Sequence, residues 1–299
     1  MQLEHLELFL KIAKEKSISK VADISHISQP ALSLQMQKIE EVLGCRLFER
    51  SNRGIQLTDA GHLMQRYATQ LIFTYNQFLE ELENLRNNNE TCRVIATHVA
   101  ANYAIPCTLV KAKEHFPGFT FTLASMSSHE VIRHVQGNQA DIGFIVGEAN
   151  EPNLYCRNII SDQIVLVAAK EYQVKDSLTL EELKAYPLIM LDENYSSYNM
   201  IEQQLKSLGF SLGDFNVSYN LDYTEGVKSM VVGQNGLAFL PYMAVKKEIY
   251  HKQLKIVEIR DLTLRYDLSI IYNARKENCN FQMATVKRYF ENIVPTTIC

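Results

Sequence analysis

Three short amphipathic helices followed by a hairpin fill the N-terminal part of the chain, and this order restricts the fold more than any other feature. Apolar side chains recur at three- and four-residue spacing in residues 3–14, which predicts a first helix with its charged residues on the outer face. Ser17 or Ser19 can cap a second short helix, because a side-chain oxygen there satisfies free backbone amides. Ser28 can cap a third helix, and Gly44 suits its end.

The segment after the third helix predicts a hairpin. Residues 46–50 and 54–57 have strand-like composition and flank a turn at Asn52 and Gly54. The third helix itself is expected to bury four apolar residues at helical spacing, namely Leu32, Met36, Ile39 and Leu43. Three helices and a hairpin of this size predict a winged helix-turn-helix.

The third helix is the element that would enter the major groove of DNA in such a motif. Its exposed polar side chains are expected to be Gln29, Ser33, Gln35 and Lys38. Gln can pair with adenine and Lys with guanine, and the methyl groups of Ala31 or Leu32 can contact thymine. An ordinary solvated helix face would show the same residues, so spacing alone leaves DNA binding open.

Charge gives no support for a nucleic-acid partner. The chain of 299 residues has a formal net charge of −4 and a sequence pI near 6.1. Even within the first 60 residues, basic and acidic side chains are equal in number. The pattern of helices, rather than composition, therefore carries the DNA-binding interpretation.

A long helix is predicted to begin at Thr58. Its apolar and aromatic side chains recur at three- and four-residue steps, at Leu63, Tyr67, Leu71, Tyr75, Phe78, Leu82 and Leu85. A stripe of this kind, on a helix that projects from a small domain, favours pairing with a second chain. The polar run 86–90 is turn-prone and predicts a hinge into the next unit.

Strand and helix patterns alternate from Cys92 onward, which predicts an α/β domain with mainly parallel sheets. The predicted strands are residues 93–98, 119–125, 141–146, 163–169, 187–191, 216–220, 236–240, 255–259 and 266–272. Ligands in open α/β sheets bind beyond the carboxyl ends of strands, where helix N-termini offer free amides. Three hydroxyl-rich turns have that position, at residues 97–102, 125–128 and 194–197.

These three turns permit two interpretations. Their Ser and Thr side chains can cradle a small anion, or they can simply cap the helices that follow. His98 likewise can complement an acidic ligand or pack as an ordinary histidine. The residues alone leave both interpretations open.

Several function classes are disfavoured. No nucleophile elbow, phosphate loop, dinucleotide fingerprint or metal-spaced His/Glu cluster occurs, which argues against an enzyme, a cofactor and a metal. A solute-binding protein of an uptake system would need an export signal, and the first residues lack its basic start and apolar block. No apolar run approaches the roughly 20 residues of a membrane span. The six cysteines include no Cys-x-x-Cys pair, which argues against a disulfide scaffold, a zinc site or redox sensing and favours a cytoplasmic protein.

A run of matched residues resembles the signature of the LysR-type transcriptional regulators. The matched positions are Ile27–Ser33, Ile39–Glu40, Gly44, Leu47–Arg50 and Leu57–Gly61. The likeness extends more loosely over the whole chain. It implies an N-terminal winged helix-turn-helix, a dimerising linker helix, and a C-terminal two-lobed α/β effector domain similar to periplasmic binding proteins.

The resemblance also implies domain boundaries and partners. The DNA-binding domain would span residues 1–58, the linker helix 59–90 and the effector domain 91–299. Within the effector domain, lobe I would comprise about 91–161 and 267–299, and lobe II about 162–266. The partners would be promoter DNA, further copies of the chain in a homodimer or homotetramer, a small-molecule effector that could be an anion, and RNA polymerase.

Contact residues follow from the same resemblance. Those expected on DNA are Ser28, Gln29, Pro30, Ala31, Ser33, Gln35, Lys38, Arg50 and Arg53. Those expected around the effector are Thr97, His98, Val99, Ala100, Ser127, Ser128 and Ser196. One departure is that residues 34–37 lack the basic side chains common in the family, so phosphate contacts would fall to the two wing arginines.

A local likeness concerns the effector. The string Ala96–His98 together with Tyr103–Pro106 resembles the sulfur-assimilation branch of the family, whose ligands are small anions or sulfur metabolites. Val99 and Ala100 stand where that branch has polar residues. The identity of the effector therefore stays open.

Overall fold

A computed structural model describes residues 2–51, 54–87, 90–193, 195–274 and 281–297. The chain divides into two compact units, Met1–Asn88 and Asn89–Cys299. The first unit contains α1 (Leu3–Glu15), α2 (Ile18–Ile24), α3 (Gln29–Leu43), β1 (Phe48–Ser51), β2 (Gly54–Leu57) and α4 (Asp59–Asn87). This order of three helices, an antiparallel hairpin and a long helix confirms the predicted winged helix-turn-helix.

The predicted helix caps are present. Ser17 caps α2 by accepting a hydrogen bond from the Lys20 amide, and Ser28 caps α3 by accepting one from the Ala31 amide. Gly44 ends α3 in the left-handed conformation, at φ 67°, which a residue without Cβ adopts at low cost. Capping and apolar spacing therefore fixed the bounds of these helices correctly.

One predicted core residue of α3 is wrong. The core of the first unit contains Leu6, Phe9, Ile12, Val21, Ala22, Leu32, Met36, Ile39, Leu47 and Ala68. Leu43, by contrast, is exposed. It occupies the last turn of the helix, beyond Ile39, where Gly44 already redirects the chain.

The second unit alternates strands and helices. In chain order it contains β3 (Glu90–Ala96), α5 (His98–Tyr103), α6 (Ile105–His115), β4 (Phe119–Ser125), α7 (Ser128–Gln136), β5 (Ile142–Val146), β6 (Leu154–Ala169), β7 (Ser177–Leu178), α8 (Leu180–Leu183), β8 (Leu188–Leu191), α9 (Ser196–Ser207), β9 (Val217–Leu221), α10 (Thr224–Val232), β10 (Ala238–Pro241), α11 (Tyr242–Tyr250), β11 (Leu254–Ile259), β12 (Leu264–Asn273) and α12 (Phe281–Ile293). Every predicted strand is present, and β7 is an addition.

The sheet of the second unit is mixed, so the prediction of mainly parallel sheets is wrong. Strand order is β4-β3-β5-β12-β6-β11-β7, and β10 also pairs with β6. The pairs β3–β4 and β3–β5 are parallel, whereas β12 runs antiparallel to both β5 and β6. Strands β10 and β11 are also antiparallel to β6. Hydrophobic spacing marks a strand but carries no information on its direction.

Two long strands connect the two lobes of this unit. Strand β6 pairs with β12 from Leu154 to Ile164, and the register of the ladder shifts between Leu268 and Ser269. Ser161 on β6 donates a hydrogen bond to Asp267 on β12. This arrangement confirms a two-lobed α/β domain, with both connections made by paired strands.

The cysteines differ in their surroundings. Among the described residues, Cys92 is buried, Cys156 is partly buried and Cys45 is exposed, all three as free thiols. Cys107 is disulfide-bonded, a bridge that the spacing of the cysteines does not predict, because separation along the chain does not report proximity in space. Over the described ranges, none of the helices has the length and apolarity needed to cross a membrane.

Candidate functional site

Helix α3 presents the residues predicted to contact DNA. Gln29, Pro30, Ala31 and Lys38 are exposed, while Ser33 and Gln35 are partly buried. The amide Nε2 of Gln29 donates to Ser33 Oγ at 2.8 Å, so these two polar groups are already oriented with respect to each other. Leu32, one of two residues offered for thymine contact, is fully buried in the core. The predicted thymine contact is therefore wrong for Leu32 and stays a prediction for Ala31.

The Ser28 side chain is the N-cap of α3 and therefore has a structural role. The Ser28 backbone is exposed at the start of the helix. Arg50 lies in β1. Arg53 and Asn52 of the predicted wing turn lie outside the described residues. Helix α3 is thus the part of the predicted DNA surface whose side chains the structure describes.

Much of the matched signature holds the wing in place. The Glu40 carboxylate accepts hydrogen bonds from the Leu47 and Phe48 amides, at 2.7 and 3.1 Å. Thr58 Oγ1 donates to the Arg46 carbonyl at 2.6 Å and accepts from the Gly61 amide at 3.0 Å. These contacts join α3, the hairpin and α4. Several signature residues therefore position the reading helix, and other residues are the candidates for contact with bases.

Three helix N-termini meet at a cavity in the second unit. Its lining includes Thr97, His98 and Val99 at the start of α5, Ser127 at the N-cap of α7, and Tyr195, Ser196 and Ser197 at the start of α9. The empty space between these residues, counted out into open solvent, is about 380 Å³. The predicted strand-to-helix turns therefore converge in space, as ligand-binding turns of α/β sheets do.

The four hydroxyl groups expected at the effector are not equivalent. Ser127 caps α7, accepting from the Glu130 amide and donating to the Glu130 carboxylate at 2.7 Å, so the capping interpretation holds for it. Thr97 precedes α5 without making a side-chain cap, and its Oγ1 is buried with no hydrogen-bond partner. A buried hydroxyl without a partner costs about 1–3 kcal/mol, which binding of an acceptor would recover.

The remaining predicted residues lie beside the cavity or behind it. Ser196 lines the cavity, and its Oγ lies 3.3 Å from Ser128 Oγ, which belongs to the opposite lobe. Ser128 Oγ also accepts from the Val146 amide at 3.4 Å. Ala100 has no exposed surface and packs in the core behind the cavity wall.

His98 is held by two neighbours. Its Nδ1 is hydrogen-bonded to Ser125 Oγ at 2.6 Å, and its ring lies 4.9 Å from the ring of Tyr195. Burial lowers the pKa of His98, partly opposed by the nearby carboxylate of Glu130. The imidazole is therefore neutral near pH 7, and it presents a hydrogen-bonding group rather than a positive charge.

Sequence reasoning missed the apolar part of the cavity. Met126, Val146, Ile164, Met200, Pro241 and Tyr266 also line it, and among the described residues the lining contains neither Lys nor Arg. Tyr266 is fixed by a 2.8 Å hydrogen bond to Asp162. Four of these residues come from strands β5, β6, β10 and β12, distant in sequence from the predicted turns. Met126 and Met200 lie close to Ser127 and Ser196, but only the hydroxyl groups of those turns were considered.

A second contact between lobes lies outside the cavity. Tyr103 on α5 donates a 2.5 Å hydrogen bond to Glu225 on α10. Glu225 also pairs with Lys228 at 3.0 Å, and Lys228 pairs with Glu248 at 2.7 Å. Over the described residues, no group of three or more His, Cys, Asp or Glu side chains is arranged to hold a metal ion.

Comparisons with known proteins agree with both sites. Residues 3–62 match the bacterial regulatory helix-turn-helix of the lysR family, and residues 86–280 match the LysR substrate binding domain. A probable RuBisCO transcriptional regulator from Cyanophora paradoxa is 30% identical over 280 residues, which is 92% of this chain and 86% of that protein. The HTH-type transcriptional regulator CysL from Bacillus subtilis (strain 168) is 24% identical over 93% of each chain.

Solved structures support the same fold. The crystal structure of CbnR, a LysR family transcriptional regulator, superposes with a TM-score of 0.73 at 17% identity and covers all of both chains. Full-length CbnR in complex with its target DNA gives the same TM-score over 98% of this chain. The two matched domains together cover most of the sequence. The chain therefore belongs to the LysR family of DNA-binding transcriptional regulators.

Proposed function

We propose that this regulator responds to a small effector that binds in the cavity between the lobes and accepts a hydrogen bond from Thr97 Oγ1. The observation that carries the proposal is the buried, unpartnered hydroxyl at the cavity wall. It stands next to the N-termini of α5, α7 and α9, whose free amides favour a partial or single negative charge. The effector class that suits this site is a small oxygen-bearing molecule.

The cavity lining limits the charge of the effector. With the pKa of His98 lowered by burial and no Lys or Arg among the described lining residues, the positive potential there comes from the helix N-termini, which suits an effector of low negative charge. The apolar side of the cavity, formed by Met126, Met200 and Tyr266, suits a short carbon skeleton. A monocarboxylate or a neutral carbonyl compound fits this combination better than a doubly charged oxyanion.

Effector binding would act through the contacts that cross between lobes. Ser128 to Ser196 and His98 to Tyr195 join the lobes at the cavity itself. A ligand placed among them changes the relative stability of closed and open lobes by its different contacts in each state. We infer that this shift is passed to DNA as a change in the spacing of headpieces within a homodimer or homotetramer. Contact with RNA polymerase remains a prediction from the family resemblance, and a cytoplasmic location remains a prediction from the cysteine pattern.

Native mass spectrometry of the full chain purified from its own host tests the effector proposal. We expect the wild type to retain a small molecule and to appear as a dimer or tetramer. Thr97→Val should lose the retained mass while keeping the same assembly state, because Val fills the site without a donor. No added mass in the wild type, or equal retention by Thr97→Val, would contradict the proposal.

A further inference from the structure

Leu34 lies on the outward face of the predicted reading helix. The core-facing residues of α3 are Leu32, Met36 and Ile39. Because successive residues of an α-helix are about 100° apart, Leu34 points roughly 170° away from the mean direction of these three. Its side chain is 52% exposed, and it packs against no hydrophobic cluster of the described residues.

An exposed leucine is not by itself a site, since single apolar residues are common on protein surfaces. The position of Leu34 on the helix is what indicates a function. It follows the helix N-terminus by one and a half turns, on the side where Pro30 and Ala31 are also exposed. Residues near the N-terminus of the second helix of a helix-turn-helix are the ones that reach base edges in the major groove.

The polar side chains on either side of Leu34 already form hydrogen bonds within the helix, so Leu34 is an apolar position between them. Gln29 donates to Ser33 at 2.8 Å on one side, and Gln37 donates to Glu41 at 3.1 Å on the other. Leu34 has no donor or acceptor of its own. In the major groove, the 5-methyl group of thymine is the apolar feature that distinguishes one base from the others.

We propose that Leu34 is a specificity-determining residue, which packs against a thymine methyl group and selects thymine at one position of each half-site. The proposal rests on DNA binding by α3, which membership of the LysR family establishes. It adds a larger apolar contact to a helix whose other candidate contacts are two amides, a hydroxyl, one lysine and the small apolar side chains of Pro30 and Ala31. Burial of a single methyl group predicts a roughly fourfold preference for thymine over uracil.

Replacement of thymine by deoxyuridine tests this proposal, because it removes the methyl group and leaves base pairing intact. A duplex is first selected from a random library with the wild-type full chain. Each thymine of that duplex is then replaced singly by deoxyuridine, and the ratio of the two dissociation constants is measured by fluorescence anisotropy. We expect one replacement per half-site to weaken wild-type binding about fourfold.

Two variants assign that preference to Leu34. Leu34→Ala should bind thymine and uracil duplexes equally at the sensitive position. Val42→Ala is the matched control, because Val42 is 79% exposed on the same helix but lies about 12 Å further along its axis. It should keep the wild-type ratio. Each ratio compares two duplexes bound by the same protein. A smaller fraction of folded protein affects both dissociation constants equally and leaves the ratio unchanged.

Two results would overturn the proposal. One is a wild-type chain that binds every uracil-substituted duplex as tightly as the parent, which would place Leu34 against another protein surface or in solvent. The other is a Leu34→Ala variant that keeps the wild-type preference. Failure to select any duplex with the wild-type chain would instead contradict DNA binding itself, and this outcome is distinct from both.

Discussion

Two buried threonines of the second unit have opposite hydrogen-bonding states. Thr108 Oγ1 is fully buried and lies 2.6 Å from Thr297 Oγ1, so its hydroxyl group is satisfied within the protein. Thr97 Oγ1 is equally inaccessible and has no partner. A buried, unpaired hydroxyl lowers the stability of the ligand-free protein. Beside a cavity, it indicates a position that favours ligand binding at the expense of stability.

The first prediction compares these two residues. Thr97→Val should leave the ligand-free protein as stable as the wild type or more stable by up to about 1 kcal/mol, because an unsatisfied hydroxyl is replaced by a methyl group. Thr108→Val should lose about 1–2 kcal/mol, because it breaks a satisfied pair. Urea unfolding of ligand-free protein measures both values. A marked loss of stability in Thr97→Val would show that its hydroxyl is satisfied after all.

Single residues also show where sequence reasoning reaches its limit. The hydroxyl-rich turns at Thr97, Ser127 and Ser196 converge on one cavity. The first two follow the parallel neighbours β3 and β4, and the third follows β8 of a separate two-stranded sheet. Which of them is a cap and which is free depends on hydrogen-bond geometry that the sequence does not encode. Leu32 was assigned to thymine contact although its spacing already placed it among core residues.

At the scale of elements, α4 carries an apolar stripe that the chain leaves uncovered. Leu63, Tyr67, Leu71, Tyr75, Phe78, Leu79 and Leu82 are all exposed. Met64, Ala68 and Ile72 of the same helix pack into the core of the first unit. The helix therefore has two apolar faces, and the exposed one supports the proposed homodimer.

The second prediction concerns that stripe. Leu71→Glu should convert the homo-oligomer to a smaller species, because it places a charge in the centre of the apolar face. Asn76→Glu adds the same charge to an exposed position on another side of α4 and should leave assembly unchanged. Sedimentation velocity of the full-length proteins distinguishes the outcomes. Identical sedimentation of Leu71→Glu and wild type would place the dimer contact elsewhere.

The third prediction tests the contact of α4 with the wing. A Cβ atom on Gly61 would lie 2.1 Å from the Leu47 carbonyl oxygen and 2.9 Å from Leu57 Cδ2, so Gly61→Ala should destabilise the first unit by about 3 kcal/mol. Gly118→Ala is the control, because nothing lies within 4 Å of its added Cβ. Thermal unfolding followed by circular dichroism measures both. Equal midpoints for the two variants would contradict the tight packing of α4 on the hairpin.

Elements were predicted better than their arrangement. Periodicity and caps located α1 to α4 and all nine expected strands, because these signals are local. The antiparallel course of β12 against β5 and β6 was missed, since pairing direction depends on how distant segments meet. Strand β6 was predicted from residue 163 only, because polar residues interrupt its first half and leave only the short apolar runs Leu154–Cys156 and Ile159–Ile160.

At the scale of the whole molecule, the contact of Tyr103 with Glu225 links the lobes through a charged cluster. Partial burial acts to raise the pKa of Glu225, but hydrogen bonds from Tyr103 and Lys228 outweigh it and the pKa is lowered. A lowered carboxylate pKa contributes stability above the unfolded value, near 4.5, and loses it as pH falls through the folded value. The link between lobes should therefore weaken in acid.

The fourth prediction measures this pH dependence. Glu225→Gln should cost about 0.5–1 kcal/mol at pH 7, a modest value because the Glu225 side chain is 66% exposed. The difference from wild type should shrink as pH falls below about 4, where both chains lack the carboxylate charge. Glu202→Gln, which breaks an exposed pair with Lys206, should cost less at pH 7. A cost that does not change with pH would contradict an ionised Glu225 in the link.

The central claim is that the chain reads DNA sequence through the N-terminal half of α3. Sequencing of duplexes that bind the full-length chain from a random library tests it most directly. The wild type should enrich one motif built of two half-sites, and Gln29→Ala combined with Ser33→Ala should fail to enrich that motif while keeping the wild-type circular dichroism spectrum. Absence of any motif with the wild type, or recovery of the same motif by the double variant, would contradict the account.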